Sequence, residues 1–351
     1  MMLFLFLCGG VWLLGRFMNA PTSARWQMIG LIYVAFLAIN VALPPNNPLR
    51  IATGGDGKLW LVMGGLAAAA YGYRRVLGKI REQALTQEAE RAPAPAAPSA
   101  LGDSEVDRYA RHIFLREIGG TGQRQLKQAR VLVVGAGGLG SPALQYLAAA
   151  GVGTIGVIDH DVVDNSNLQR QVIHRDEMLG KPKVFSAQAA MEAQNPYVTV
   201  RPYNRPVAAE MVDGLLQDYD IVLDGCDDPE TRYLVNRACV DAGKPLVSGA
   251  LSQWEGQISV FDPANGAPCY RCLFPEPAAP GLAPSCAEGG VLSALPGVIG
   301  TMMAVETIKL IVGVGAPLRG EMLIYDALWG ETRKIAISRR EGCVDCGHIQ
   351  G

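Results

Sequence analysis

Residues 130–134 read RVLVV and lead without a break into Gly135-Ala136-Gly137-Gly138-Leu139-Gly140, after which an apolar, alanine-rich segment continues to Ala150. A β-branched run, a glycine turn and a helical pattern in that order make the strand, turn and helix of a βαβ unit. They commit the surrounding chain to a parallel sheet with crossover helices. Further β-rich runs alternate with helical segments: TIGVID at 154–159, DIVLDG at 220–225, PLVSGA at 245–250 and QISVFD at 257–262. The expected fold class is α/β, with a Rossmann-like, mostly parallel sheet.

The same turn carries chemistry. Glycines let backbone approach phosphates, and a helix N-terminus aims the positive end of its dipole at them. Asp159 ends the next strand, where a carboxylate can accept hydrogen bonds from ribose hydroxyls. On these residues alone a NAD-dependent dehydrogenase is open, because G-x-G-x-x-G with a following acidic residue is the dinucleotide fingerprint. The stretch 161–171, DVVDNSNLQRQ, points elsewhere: it sets Asn167 and Arg170 beside the turn, and Lys183 follows on the next helix. Two cations and an amide suit a triphosphate, whose charge must be neutralised while a phosphoryl bond breaks. No G-x-x-x-x-G-K-[ST] sequence occurs, which excludes a P-loop NTPase. With 31 basic and 33 acidic residues the formal charge is −2, so no global field recruits nucleic acid and none is expected as a partner.

Ordered motifs extend this pattern: RYARHIFL at 108–115, VGAGGLGSPALQYLAAAGVG at 134–153, SNLQRQ at 166–171, GKPK at 180–183, GALSQWEGQISVF at 249–261, PCYRC at 268–272 and CVDC at 343–346. From about Ser104 to Gly347 the chain resembles the ubiquitin-activating-enzyme-like adenylyltransferases of the ThiF/MoeB/HesA family, closest to molybdopterin-synthase adenylyltransferase. The resemblance implies ATP-dependent adenylation, with Mg2+, of the C-terminal carboxylate of a ubiquitin-like sulfur carrier ending in Gly-Gly. That carrier would be of the MoaD/ThiS type and serve molybdopterin or thiamine-thiazole synthesis. It further implies that Gly135, Gly137, Gly138 and Gly140 pack against the nucleotide and that Asp159 holds the ribose. Ser166, Asn167, Leu168, Gln169 and Arg170 form the nucleotide loop, Asn167, Arg170 and Lys183 contact phosphates, and Asp227 organises Mg2+. Arg111 resembles the family's arginine finger, which reaches the phosphates of the neighbouring subunit of a homodimer. The chain departs from the family at Asp227-Asp228, where relatives have Asp-Asn, and this opens the question of what the second carboxylate contacts. By resemblance, Cys286, in PGLAPSCAEGGVL at 280–292, stands where some relatives take the carrier as a thioester or persulfide-linked adduct.

Two other readings compete. A relative that adenylates a tRNA base would bring a basic RNA-binding face, and none is visible. A non-enzymatic membrane scaffold that recruits a carrier would show losses among Arg111, Arg170, Lys183 and Asp227, and all four stand. Because the chain ends just after the second cysteine pair, sulfur is expected to come from a separate donor protein.

Of eight cysteines, Cys269, Cys272, Cys343 and Cys346 form two C-x-x-C pairs. That spacing puts two thiolates on one tight turn, and two such turns make the four-thiolate shell of structural Zn2+, which would clip a C-terminal antiparallel extension back onto the sheet. Disulfides are the rival reading, disfavoured in a reducing cytosol. Cys226 and Cys239 read as small buried apolar residues, and His112, His160, His174 and His348 show no partner pattern.

The 49% hydrophobic content is high for a soluble chain, and the excess sits at the front. Met1 to Leu14, Trp26 to Leu43 and Leu59 to Tyr73 carry no charge, and Pro44-Pro45-Asn46-Asn47-Pro48 breaks them. A membrane helix needs roughly 20 residues, so the second stretch is near full length and the outer two are short. Arg74, Arg75, Lys79 and Arg81 follow the third, and Arg16 and Arg25 lie in the first loop. By the positive-inside tendency, up to three crossings are expected with the N-terminus outside, placing a multi-pass protein in the cell inner membrane and its catalytic domain on the cytoplasmic side. The first stretch lacks the basic start and small-residue cleavage site of a signal peptide. The expected domains are residues 1–75 in the membrane, 76–103 as a basic segment and Ala/Pro linker (APAPAAPSA at 92–100), and 104–351 as the adenylyltransferase.

Overall fold

The uncharged N-terminal stretches become helices: α1 (Met2–Phe17), α2 (Thr22–Ala42) and, across a short α3 (Pro48–Ala52), α4 (Gly57–Arg91). The computed structural model describes residues 2–18, 21–54, 57–91, 100–208, 214–277 and 289–349, and divides into two units, Met1–Leu85 and Thr86–Gly351. In the first unit the Pro-Asn break has local causes: Pro48 opens α3, and the Asn47 side chain caps it by accepting from the Leu49 amide at 2.9 Å. Trp60 is buried against Phe4, Tyr33 and Phe36, with ring centroids 5.1–5.9 Å apart. Leu5, Leu13, Leu31 and Leu61 remain exposed. Among the described residues, two helices are long and apolar enough to cross a membrane. One is α2, through Ala24–Ala42, and the other is Leu295–Val312 in the second unit, while α1 is apolar but shorter.

The second unit opens with α5 (Asp103–Arg108), α6 (Ala110–Ile113) and α7 (Gly119–Gln128). Lys127 pins this entry, donating to Glu105 at 2.6 Å and to the Ala100 carbonyl at 2.8 Å, with both charged side chains buried. The sheet then runs through β1 (Arg130–Val134), α8 (Gly140–Ala150), β2 (Thr154–Ile158), α9 (Lys183–Gln194), β3 (Thr199–Tyr203), β4 (Ile221–Asp224), α10 (Pro229–Ala242), β5 (Leu246–Leu251), β6 (Glu255–Phe261), α11 (Tyr270–Leu273), α12 (Leu295–Val312), β7 (Glu321–Asp326) and β8 (Glu331–Ala336). Its strand order is β3-β2-β1-β4-β5-β6-β7-β8. The β3 to β5 part is parallel, and β6, β7 and β8 add antiparallel strands.

Strand β1 shows why the layers form. Val131 and Val133 enter the core beneath α8, α9 and α12, whereas Leu132 and Val134 enter the opposite core with Val235, Ala238 and Cys239 of α10. A period of two on a strand covered on both faces gives a continuous apolar run rather than an alternation. Strand β3 went unread in the sequence because its TVRPY holds Arg201 and Pro202. It occupies the sheet edge, where a proline costs no ladder bond. Helix α12 has the apolar content of a membrane span, yet half of it is buried, with Leu295, Ile299 and Met303 in the core.

Candidate active site

The chain winds from β1 outward through β2 to β3, then returns to place β4 on the other side of β1. Ligands of open α/β sheets bind at such a switch point, beyond the carboxyl ends of the two flanking strands. Here those ends touch. Gly225 donates its amide to the Val134 carbonyl at 2.9 Å, and a Cβ on Gly135 (φ +91°) would lie 2.9 Å from the Gly225 oxygen. A Cβ on Gly140 would lie 1.9 Å from the Gly135 oxygen, so the turn can close onto α8 only with glycine at both positions.

Around the turn the predicted residues converge. Asp159 accepts from the Ala136 amide (2.8 Å) and the Asp161 amide (2.8 Å). Asp161 in turn accepts from the Lys183 ammonium at 2.7 Å, so a continuous hydrogen-bonded path joins the glycine turn to a buried cation. Arg170 lies beside Gly138, held by Asn167 Oδ1 at 2.8 Å and the Ser166 carbonyl at 3.2 Å. Ser166 donates its hydroxyl and amide to Asp164, which holds that carboxyl below its ordinary pKa. Leu168 is half-buried, Gln169 is exposed, and Gly137 faces Gln171. Asp227 is exposed and makes no hydrogen bond or ion pair among the described residues.

Asp228 answers the question its departure raised. It is the N-cap of α10, accepting from the Thr231 amide at 2.8 Å and hydroxyl at 2.6 Å. Burial pushes its carboxyl up, and the bonds from Thr231 outweigh this and leave the pKa lowered. Asp and Asn cap helices about equally well, so the substitution costs the fold nothing and leaves Asp227 as the free carboxylate.

Arg111 is exposed on α6 and lines a cavity of about 340 Å3 with Tyr146, Ala149 and Val305. Ala149 lies in the last turn of α8, so the groove lies about 14 Å along that helix from the glycine turn at its start. The structure thus does not bring Arg111 to the phosphate turn of its own chain. Cys286 lies outside the described residues.

Several site residues escaped the sequence reading. His174 is buried and bonds the Ala136 carbonyl through Nε2 and Ser186 through Nδ1, each at 2.9 Å. A carbonyl only accepts, so the proton sits on Nε2, and burial lowers the imidazole pKa. Gln171 Oε1 is buried without a hydrogen-bond partner among the described residues, an acceptor left for a ligand donor or water. Arg232 donates to Asp224 (2.9 Å), to Ser248 (3.1 Å) and to the Gly249 carbonyl (2.8 Å), bracing the 225–228 loop; Cys226 packs partly buried against the core beneath α10, as read, and its thiol also donates to Asp224. The partners named for His174 and Arg232 lie 8 to 38 positions away, beyond the reach of local pattern.

The four paired cysteines meet. Their Sγ atoms lie within 4.8 Å of one another, with close pairs at 3.3, 3.6 and 3.7 Å. Disulfides need ~2.05 Å. Zn–S bonds of ~2.3 Å in a tetrahedron put sulfurs about 3.8 Å apart, so the donor set fits a structural zinc ion. Burial pushes the Cys346 thiol up to about 11 and the Cys269 thiol higher still, so a bound cation must displace protons. His348 is exposed and stands outside this cluster.

Comparison with known proteins agrees with this arrangement. The ThiF family model matches residues 109–345. A sulfur carrier protein adenylyltransferase of Thermus thermophilus is 49% identical over 247 residues, covering 69% of this chain and 91% of that one. The mouse adenylyltransferase and sulfurtransferase MOCS3 is 49% identical over 257 residues, covering 73% of this chain, which spans only 56% of that longer protein. A crystal structure of E. coli MccB with ATP superposes with a TM-score of 0.58 at 23% identity, over 70% of this chain and 76% of that one; at that identity it speaks to the fold alone.

Proposed function

The chain belongs to the ThiF family, and from that premise we propose that it is a nucleotidyltransferase that adenylates the C-terminal glycine carboxylate of a ubiquitin-like sulfur carrier with ATP. The observation that carries this reading is the convergence of the glycine turn, Arg170 and buried Lys183 at the switch point, where Gly225 brings the loop that holds the exposed Asp227 against the turn. In the reaction a carboxylate oxygen of the carrier attacks the α-phosphorus, the bond to the β-phosphate oxygen breaks, and pyrophosphate leaves. Negative charge moves onto the leaving oxygens, so cations already fixed in place act most in the transition state. Lys183 and Arg170 hold such positions, and Asp159 stands where ribose hydroxyls can donate to it. Asp227 is the residue to hold Mg2+, which when bound neutralises phosphate oxygens. Arg111, remote from its own glycine turn, serves the partner's site across a two-fold dimer. Zinc at the four cysteines closes the C-terminal extension, with no open position for substrate.

The test is ATP–pyrophosphate exchange with each candidate carrier, of the molybdopterin and the thiazole type. Exchange should require the carrier's terminal glycine; exchange at full rate without any carrier carboxylate contradicts the assignment.

The helices of the first unit are the proposed membrane anchor, supported by the length and exposure of α2. Alkaline carbonate extraction should leave the full chain in the membrane pellet and release a chain that begins at Ser104; release of both overturns the anchor.

A further inference from the structure

Helix α10 is tied at its start and again from its middle onward by polar networks. At its start Asp228 caps it, and Arg232 holds Asp224 and the Gly249 carbonyl, fixing the loop that presents Asp227. Two turns on, Asn236 is 1% exposed and bonds both cysteine knuckles at once. Its Oδ1 accepts from the Tyr270 amide at 2.8 Å, next to Cys269, and its Nδ2 donates to Asp345 at 2.8 Å, next to Cys346. Asp345, 2% exposed, also accepts from Arg271 at 3.0 Å and from Arg237 at 3.3 Å. Tyr233 stacks edge-on to Tyr270 with centroids 5.3 Å apart, and Val240 packs among the four cysteines. Residues 233, 236, 237 and 240 recur at three- and four-residue spacing, so a single face of α10 meets the cluster.

Closing a four-cysteine knot requires its thiolates and backbone amides, whereas a buried carboxylate costs several kcal/mol unless its partners are in place. Here the carboxylate of the second knuckle takes its partners from α10 and from the first knuckle. From the cap at Asp228 to Asn236 is about 12 Å of continuous helix, a stiff element over that length. We propose that the cysteine cluster sets the position of the Asp227 loop through α10, with Asn236 and Asp345 as the positioning residues that carry the coupling. The effect on turnover rests on the adenylation reading; the coupling itself does not.

The experiment compares the full chain with Asp345→Asn, which removes the charge and keeps the shape. Metal content should be unchanged, since Asp345 is not one of the four thiols. Amide hydrogen exchange over 225–231 should quicken by about tenfold while β1 and β2 keep their protection. Half-maximal pyrophosphate exchange should need severalfold more Mg2+, with saturating Mg2+ restoring most of the rate. Quickening confined to 343–349, or spread evenly over the unit, overturns the coupling. If Asp345→Asn does not fold, Arg237→Gln removes the ion pairs to Asp345 and Asp241 from a half-exposed position, and unchanged amides over 225–231 in that variant overturn it equally. A native chain that shows no exchange with any carrier defeats the adenylation reading, and the hydrogen-exchange result still decides the coupling.

Discussion

Around the glycine turn, above the buried Asp224–Arg232 pair, two charged groups are sparsely paired: Asp227 bonds nothing among the described residues, and Lys183 has one half-exposed carboxylate, Asp161. At the other end of α10, Asp345 is buried and takes three side-chain partners, and the four cysteines face one another. The first arrangement leaves charge available to a ligand; the second consumes it within the protein. Substitutions at the two ends should therefore fail in different ways, the first in chemistry with the fold intact, the second in stability and placement.

The largest effects belong to the open end. Lys183→Met and Asp227→Ala should each lower carrier-dependent exchange by about 100-fold or more, with Asp227→Ala leaving the thermal midpoint within about 2 °C of the native value. A comparable loss of stability in Asp227→Ala would break the contrast. Arg111→Ala should be as inactive, and re-pairing it with Asp227→Ala builds mixed dimers holding one intact site. Random pairing then restores about a quarter of the native activity, and none if Arg111 does not act in trans.

At the closed end, Cys343→Ser should release the zinc and lower the midpoint by on the order of 5–10 °C, as expected for losing a cross-link of a few kcal/mol in a domain of this size. Metal analysis that finds no zinc in freshly prepared reduced native protein would remove the premise. The smallest effect is that of His174, whose folded pKa is lowered. Below about 6.5, the ordinary imidazole value, the unfolded chain binds a proton that the folded chain resists, so stability falls as pH drops through that window. His174→Gln should flatten this slope in acid melts.

The open end was more legible in the sequence than the closed one, for a geometric reason. Its glycine turn, Asp159, the 166–171 loop and Lys183 lie within 50 positions, and the parallel fold brings successive strand ends to one edge. The cysteine pairs were legible by spacing, but Asn236 and Asp345 are 109 positions apart and gave no local signal. Asp228 looked like a departure in chemistry and proved to be a helix cap. Helix α12 shows the limit of composition: apolar content alone does not separate it from α2, whereas burial does, at 50% against 11%.

Adenylation is read from the mass of the carrier after incubation with ATP, Mg2+ and the full chain. The carrier should become heavier by one adenylate, a gain absent when its terminal glycine is removed and absent with Lys183→Met. Adenylate on a carrier that lacks the terminal glycine, or none on any intact carrier while the chain still binds ATP, would contradict it.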